Sequence, residues 1–231
     1  MQGELVASFS NVTIIQTGPR LDQADLDVWE QCLHLARKNT LGTKIQFTTN
    51  SFLKNICRDT GKSQHDWLKN SFRRLASSVV EIKDGQRAYF GSMINHGARD
   101  DKTKNYCIEI NPAIAKLYGA DGWSQVEFEQ RNELKGQPLA QWMHGFFTSH
   151  AAPYPVKVET ILRLSGSETK QIFHFREVLR EALVKLEAAT DWKWSIDNSD
   201  LLHITKKPSG TQARHLIKKM KARHSTDEGT A

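Results

Sequence analysis

The sequence predicts an α+β fold, mostly helical with short antiparallel β-hairpins, and three observations carry the prediction. The segment from Ser167 to Lys207 reads as one long helix followed by two short strands and a tight turn. Ile172, Phe175, Leu179, Ala182, Leu183 and Leu186 recur at helical spacing there, and Trp192–Ile196 and Leu201–Thr205 flank the turn formers Asp197-Asn198-Ser199-Asp200. The same order of elements occurs earlier, at Leu21–Asn111, ending in strands around Asp84-Gly85, a hairpin signal. Helix, short strand, helix, turn, helix and hairpin is the order of a winged helix-turn-helix. The expected architecture is two of these domains in tandem.

In chain order, Val12–Gln16 reads as a strand closed by Gly18-Pro19. A first helix runs from about Asp22 to Asn39, with Leu26, Trp29, Leu33 and Ala36 inward and Asp22, Asp25 and Asp27 suited to the positive amino-terminal end. Ile45–Phe47 is a short strand and Asn50–Arg58 a second helix. Ser63 and Asp66 are spaced as a capping box for a third, reaching about Ser78, with Leu68, Phe72, Leu75 and Ala76 inward. Val79–Lys83 and Arg87–Asn95 form the expected wing, Gly97–Lys104 a polar loop, and Tyr106–Asn111 an extra strand. Pro112–Tyr118 is a short helix and Gly119–Gly122 a turn. The mixed polar stretch 123–136 reads as a boundary.

The pattern then restarts with a helix at Leu139–His150, a break at Ala151–Pro155 where two prolines force extended backbone, a short helix at Val158–Leu164 and a turn at Ser165-Gly166. Ser167 is placed to cap the long helix. The domains are thus expected over residues 1–130 and 136–207. Residues 208–231 form a basic, flexible tail, amphipathic from Ala213 to Arg223, with a disordered end. The two halves share the order of elements, not residues.

The 231 residues carry a net charge of +6, with pI about 9.2. Residues 1–135 hold 18 Lys/Arg against 16 Asp/Glu, residues 136–207 hold 9 against 8, and the last 24 hold 5 against 2. This mild basic bias permits nucleic-acid binding without requiring it. No apolar run is long enough for a membrane span, and the start lacks a basic–apolar–small leader. Cys32, Cys57 and Cys107 are isolated, which argues against a disulfide framework or structural zinc and for buried or half-buried thiols in a reducing cytoplasm.

Such a fold reads DNA with the first turns of its third helix in the major groove. In the second domain this end offers Ser167, Thr169, Lys170, Gln171 and His174, with Arg176 and Arg180 on the flank for phosphates. Glu177 and Glu181 face outward and repel phosphates, so base reading is confined to about Ser167–His174. Phe173 is expected to pack, with a thymine methyl as the alternative contact. In the first domain the candidates are Lys62, Asn70, Arg73 and Arg74, with Lys83 and Arg87 on the wing, chiefly as phosphate contacts that position the protein. No enzyme is expected. His174 stands alone between Phe173 and Phe175 rather than in a nickase histidine pair, no phosphate-cradling GxxxxGK[ST] loop exists, Asp100-Asp101 reads as a loop charge pair, and His65-Asp66 has no nucleophile. No cofactor or metal is expected.

Leu21–Asn39 (LDQADLDVWEQCLHLARKN), Asn50–Leu75 (NSFLKNICRDTGKSQHDWLKNSFRRL) and Gly136–Glu168 (GQPLAQWMHGFFTSHAAPYPVKVETILRLSGSE) resemble the TrfA family of plasmid replication initiators, and the likeness spans roughly residues 12–207. The resemblance implies two winged-helix domains that bind repeated origin sequences (iterons), help melt adjacent AT-rich DNA, and work with a host initiator to recruit the replicative helicase. It also implies single-stranded AT-rich DNA as a ligand, a monomer–homodimer equilibrium with dimerisation assigned to the first domain, and a cytoplasmic, plasmid-associated location. Two departures stand out. The chain starts close to its first domain, without the long amino-terminal extension of the best-known members. The nearest match to their clamp-binding Gln-Leu-x-Leu-Phe segment is Gln171-Ile172-Phe173-His174-Phe175, buried by pattern within a helix, so clamp binding is not expected. The alternative reading is a winged-helix repressor acting on a promoter, including its own.

Overall fold

The computed structural model describes residues 4–9, 12–37, 44–117, 127–210, 212–214 and 216–217. The chain divides into two compact units, Met1–Trp123 and Ser124–Ala231, each with its own core.

The first unit begins with strands β1 (Glu4–Phe9) and β2 (Val12–Thr17). Helix α1 (Gln23–Ala36) opens on a capping box, in which the Asp22 carboxylate accepts from the Asp25 amide and the Asp25 carboxylate accepts from the Asp22 amide. Strand β3 (Lys44–Thr48) leads into α2 (Thr49–Asn55), capped by Thr48, and then α3 (Lys62–Ser77). Four strands follow: β4 (Val79–Asp84), β5 (Arg87–Ser92), β6 (Ile94–Arg99) and β7 (Asn105–Ile110), and then α4 (Pro112–Leu117). Trp29, Phe52, Leu68, Leu75, Ile108 and Ile110 are fully buried and join helices to strands in one core.

Strand pairing corrects one expectation. The hairpin turned at Gly85, whose φ of 56° suits glycine, forms as expected, but it is not the wing. β4 and β5 join β1 and β2 in a separate sheet ordered β1-β2-β4-β5, while the other sheet is ordered β3-β7-β6. Since β3 pairs with β7 from Lys44↔Glu109 to Thr48↔Asn105, the wing is the β6–β7 hairpin, and β6 runs through Arg99 where a loop was expected. The β4–β5 hairpin is an insertion between α3 and the wing. Helix α3 also starts earlier than a Ser63–Asp66 capping box allows. Its N-cap is Gly61, whose carbonyl accepts from the Gln64 and His65 amides, and Ala76 faces solvent rather than the core.

The second unit contains α5 (Phe128–Glu133), inside the stretch that reads as a boundary; the next residue, Leu134, is buried in the core. Then come α6 (Pro138–Thr148), β8 (Val156–Lys157), α7 (Val158–Ser165), α8 (Ile172–Thr190), β9 (Lys193–Ile196) and β10 (Leu201–Thr205). The sheet order β8-β10-β9 matches β3-β7-β6, so both units close their wing in the same way. Phe147, Ile161, Phe175, Leu179, Leu183 and Leu202 form the core.

Helix α8 begins at Ile172, not Ser167. Gly166 ends α7 in the left-handed region at φ 64°, and the chain then runs irregularly to Gln171, the N-cap. Ser167 caps nothing. Its hydroxyl donates to Thr169 Oγ1 at 3.1 Å and accepts from the Thr169 amide at 3.4 Å. Phe173 is 53% exposed, so neither its expected packing nor the expected burial of the Gln171–Phe175 segment holds, although Phe175 is fully buried. Cys57 is exposed, against expectation, while Cys32 is buried and its thiol pKa is raised by desolvation. The first part of the tail docks on its own unit, where Gln212 Nε2 donates to the Thr148 carbonyl at 2.7 Å. The turn expected at Gly119–Gly122 and most of the amphipathic tail lie outside the described residues. Among the described residues, no helix is long and apolar enough to cross a membrane.

Candidate nucleic-acid interface

In each unit two helices and the turn between them present a third-helix face. In the first unit that turn is braced by side chains. The Arg58 guanidinium lies 3.6 Å from the centroid of the Trp67 ring and donates to Gln64 Oε1 at 3.2 Å, while His65 Nε2 and Asn50 Oδ1 are 2.8 Å apart between α3 and α2. Along α3, Lys62, Asp66, Asn70 and Arg73 are exposed at intervals of four, four and three residues, which puts them on one face. Asn70 Oδ1 accepts from Arg73 Nη1 at 3.4 Å. These cations and the amide are available to a phosphate or base edge, with Asp66 as a carboxylate in their midst.

Arg74 is not available in the same way. Its guanidinium donates two hydrogen bonds to the fully buried Asp25, at 2.9 and 2.6 Å, and Ser71 Oγ donates to the same carboxylate at 2.6 Å. This hydrogen bonding raises the Arg74 pKa. Arg74 therefore locks α3 to α1, and its guanidinium is engaged within the unit rather than standing free on the helix face where a phosphate contact was expected. Lys83 sits on β4 and pairs with Glu81 at 3.1 Å; Arg87 is exposed at the start of β5. Both lie on the inserted hairpin rather than the wing.

The wing itself carries residues that the sequence pattern did not single out. At its tip the Asp100 carboxylate accepts from the Lys102 and Thr103 amides at 2.8 and 3.1 Å in an Asx-type turn, and hydrogen bonds from the Thr103 side chain and then from these amides hold its pKa below the usual range. Asp101 pairs with Arg99, and Lys102 and Lys104 project exposed, Lys104 in the left-handed region at φ 60°. The available signal was alternation on both sides of the segment: once Gly97–Arg99 is read as strand, Asp100–Lys104 becomes a hairpin tip bearing two lysines.

In the second unit the candidates cluster around the start of α8. Lys170 and Gln171 are exposed and Ser167 and Thr169 half-buried in the preceding loop, while His174 is exposed in the first turn with Nδ1 3.6 Å from Glu177 Oε2. Both α3 and α8 open without a side-chain cap, which leaves first-turn amides and the positive end of each helix facing outward. Such an end suits an anion. Glu177, Arg180 and Glu181 are exposed one or two turns further on, as expected.

Arg176 is committed elsewhere. Its Nε and Nη2 donate to the two carboxylate oxygens of Asp200 at 3.0 and 2.9 Å, and this bond holds the Asp200 pKa below the usual carboxylate range. Asp200 also accepts at its carbonyl from the Val158 amide at 3.0 Å, and its own amide donates to the Asp197 carbonyl. The Asp197 carboxylate accepts from the Ser199 and Leu201 amides and lies 2.8 Å from His203 Nε2, contacts that lower its pKa. Arg176 thus fastens the wing turn to α8, on the flank where a phosphate contact was expected. Among the described residues no three His, Cys, Asp or Glu are grouped as a metal set.

The arrangement offers hydrogen-bond donors and positive charge at two helix starts and one wing tip, which is the chemistry of duplex recognition. The TrfA protein family matches residues 2–206 of the chain. The plasmid replication initiator protein TrfA of Escherichia coli is 28% identical over 204 residues, covering 84% of this chain and 52% of that protein, so the chain spans about half the length of this curated relative. The crystal structure of domains 2 and 3 of RctB matches with a TM-score of 0.58 at 9% identity, over 89% of this chain and 91% of that one. The Pi initiator protein, solved in complex with iteron DNA, matches with a TM-score of 0.55 at 10% identity, over 85% and 96%. At these identities the structural matches establish a shared fold and nothing more. With its family match running over nearly the whole length, the chain belongs to the TrfA family.

Proposed function

We propose that this chain is a plasmid replication initiator that binds iteron repeats in duplex DNA through both winged helices, promotes opening of the adjacent AT-rich segment, and assists loading of the host helicase without catalysing a reaction itself. The observation that carries the reading is the repeated arrangement: two units with the same wing-sheet order, each exposing polar and cationic side chains at the start of its third helix. The relative named as a plasmid replication initiator and the Pi structure containing iteron DNA support the same reading. The second unit supplies base reading through Lys170, Gln171 and His174, since Gln suits adenine and Lys suits guanine or phosphate. The first unit supplies positioning through Lys62, Asn70 and Arg73, with Lys102 and Lys104 at its wing. The cytoplasm, where the plasmid resides, is the corresponding location.

Permanganate reactivity on a supercoiled plasmid carrying the DNA that flanks this gene tests the reading. The expected result is new reactivity of AT-rich thymines on adding the chain and host initiator. Tight binding to the repeats without any opening would instead make the protein a repressor.

A further inference from the structure

Phe173 is 53% exposed in the first turn of α8, although the buried face of that helix is already filled by Phe175, Leu179, Ala182, Leu183 and Leu186. A phenyl ring left in water forgoes the stabilisation that burial gives. Single exposed apolar side chains are ordinary on a protein surface, and what sets Phe173 apart is its place among Lys170, Gln171 and His174 at the start of α8. The ring is also held. Its centroid lies 4.0 Å from that of His174, tilted by 42°, and His174 in turn approaches Glu177 at 3.6 Å.

What this ring meets follows from where the helix end goes. Lys170, Gln171 and His174 surround it in sequence, and all three are exposed. If they face base edges in the major groove, Phe173 enters the same groove. Nearly everything a base pair displays there is a hydrogen-bond donor or acceptor; the apolar exception is the C5 methyl of thymine. A phenyl ring that offers no hydrogen bond is repaid against that methyl and penalised against the bare edge of cytosine.

We propose that Phe173 is a specificity-determining residue that recognises the C5 methyl of a thymine in the iteron, beside the hydrogen-bonding residues Lys170 and Gln171. The inference rests on the reading of α8 as the base-reading helix. It assigns a preference for thymine over cytosine or uracil at one position of the repeat, with Gln171 and Lys170 setting the neighbouring ones.

The test uses the full chain and a duplex that the protein itself selects from a random library about 20 base pairs long, two helical turns. Each thymine of the selected duplex is replaced singly by uracil, which deletes the methyl and leaves the hydrogen-bonding edge intact. Binding of wild type, Phe173→Ala and Phe173→Leu is titrated. The expected result is one position where uracil weakens wild-type binding about fourfold, the factor for one buried methyl. Phe173→Ala should weaken binding to the unmodified duplex by about tenfold and show no uracil effect at that position; Phe173→Leu should keep part of it. Because the side chain is exposed, Phe173→Ala is expected to fold, and unchanged affinity in the folded variant overturns the proposal. So does an undiminished uracil penalty, or a Phe173→Ala loss with no uracil effect in wild type, which marks Phe173 as a wedge or a protein contact. Failure of wild type to select any sequence, or to prefer the selected duplex over a shuffled one, removes the base-reading role of the chain and the proposal with it.

Discussion

Arg176 and Asp200 face each other as a bidentate pair, Nε and Nη2 at 3.0 and 2.9 Å from the two carboxylate oxygens, and so join α8 to the turn of the wing behind it. Asp200 holds the left-handed conformation at φ 60° while its carbonyl accepts from the first residue of α7. One residue therefore ties three elements together. Arg176→Gln should weaken iteron binding by loosening the wing, yet leave the slope of log affinity against log salt unchanged, because no phosphate contact is lost. Lys62→Ala, at a positioning residue of the first unit, should lower that slope by about one. Fluorescence anisotropy titrations at several salt concentrations separate the two cases.

Arg74 and Arg73 are adjacent in sequence and opposite in role. Arg74 and Ser71 satisfy the buried Asp25 carboxylate, so Arg74→Ala leaves a charge without its partner inside the first unit. The expected loss is about 3 kcal/mol of stability in urea unfolding, with little change in salt slope. Arg73→Ala should leave the unfolding midpoint within error and lower the salt slope by about one.

The assignment of the first wing is checked by comparing two lysines. Lys102 stands at the tip of the β6–β7 hairpin, whereas Lys83 is paired with Glu81 on the inserted β4–β5 hairpin. Lys102→Ala should weaken iteron and shuffled duplex alike and reduce the salt slope, while Lys83→Ala changes neither. The reverse pattern would return the wing to β4–β5.

His144 gives the second unit an acid sensitivity. It is fully buried in α6, with Nε2 3.1 Å from Gln130 Oε1, and burial together with the charges of Arg131 and Lys206 lowers its pKa to about 4. The unfolded chain binds a proton below about 6.5, the folded chain only below about 4, so stability falls as pH drops through that window. From pH 7 to pH 5 the loss from this residue is roughly 2 kcal/mol. Urea unfolding at the two pH values should show it, and His144→Met, which cannot titrate, should remove that part of the difference.

What the sequence made legible was local. Helical spacing located the buried faces of α3 and α8, and the alternation of Leu201–Thr205 located β10 with the same bounds; on α1 it found Trp29 and Ala36, but Val28 and Cys32 are the other fully buried apolar residues, while Leu26 and Leu33 are half-buried. What it left hidden was decided at a distance. Asp84-Gly85 marks a hairpin correctly, but whether that hairpin is the wing depends on β3 pairing with β7, and no local pattern records that choice. Asp25 reads as a residue that suits a helix start, and it is one; the partners that bury it, Ser71 and Arg74, are on another helix. Arg176 reads as a phosphate contact until Asp200 comes beside it. Phe173 shows how a boundary propagates. Beginning the helix at Ser167 treats the whole Gln171–Phe175 segment as helix interior, whereas its start at Ile172 leaves Phe173 in the open first turn beside a buried Phe175.

In the proposed function the chain recognises a specific duplex sequence through the start of α8. Its most direct measurement is a pair of anisotropy titrations, one with the plasmid's direct repeat and one with a shuffled duplex of equal length and composition, for wild type and for Gln171→Ala. Wild type is expected to prefer the repeat by about 10³-fold or more at physiological salt, and Gln171→Ala to reduce this ratio by about tenfold while keeping its affinity for shuffled DNA. Equal affinity of wild type for the two duplexes would contradict it.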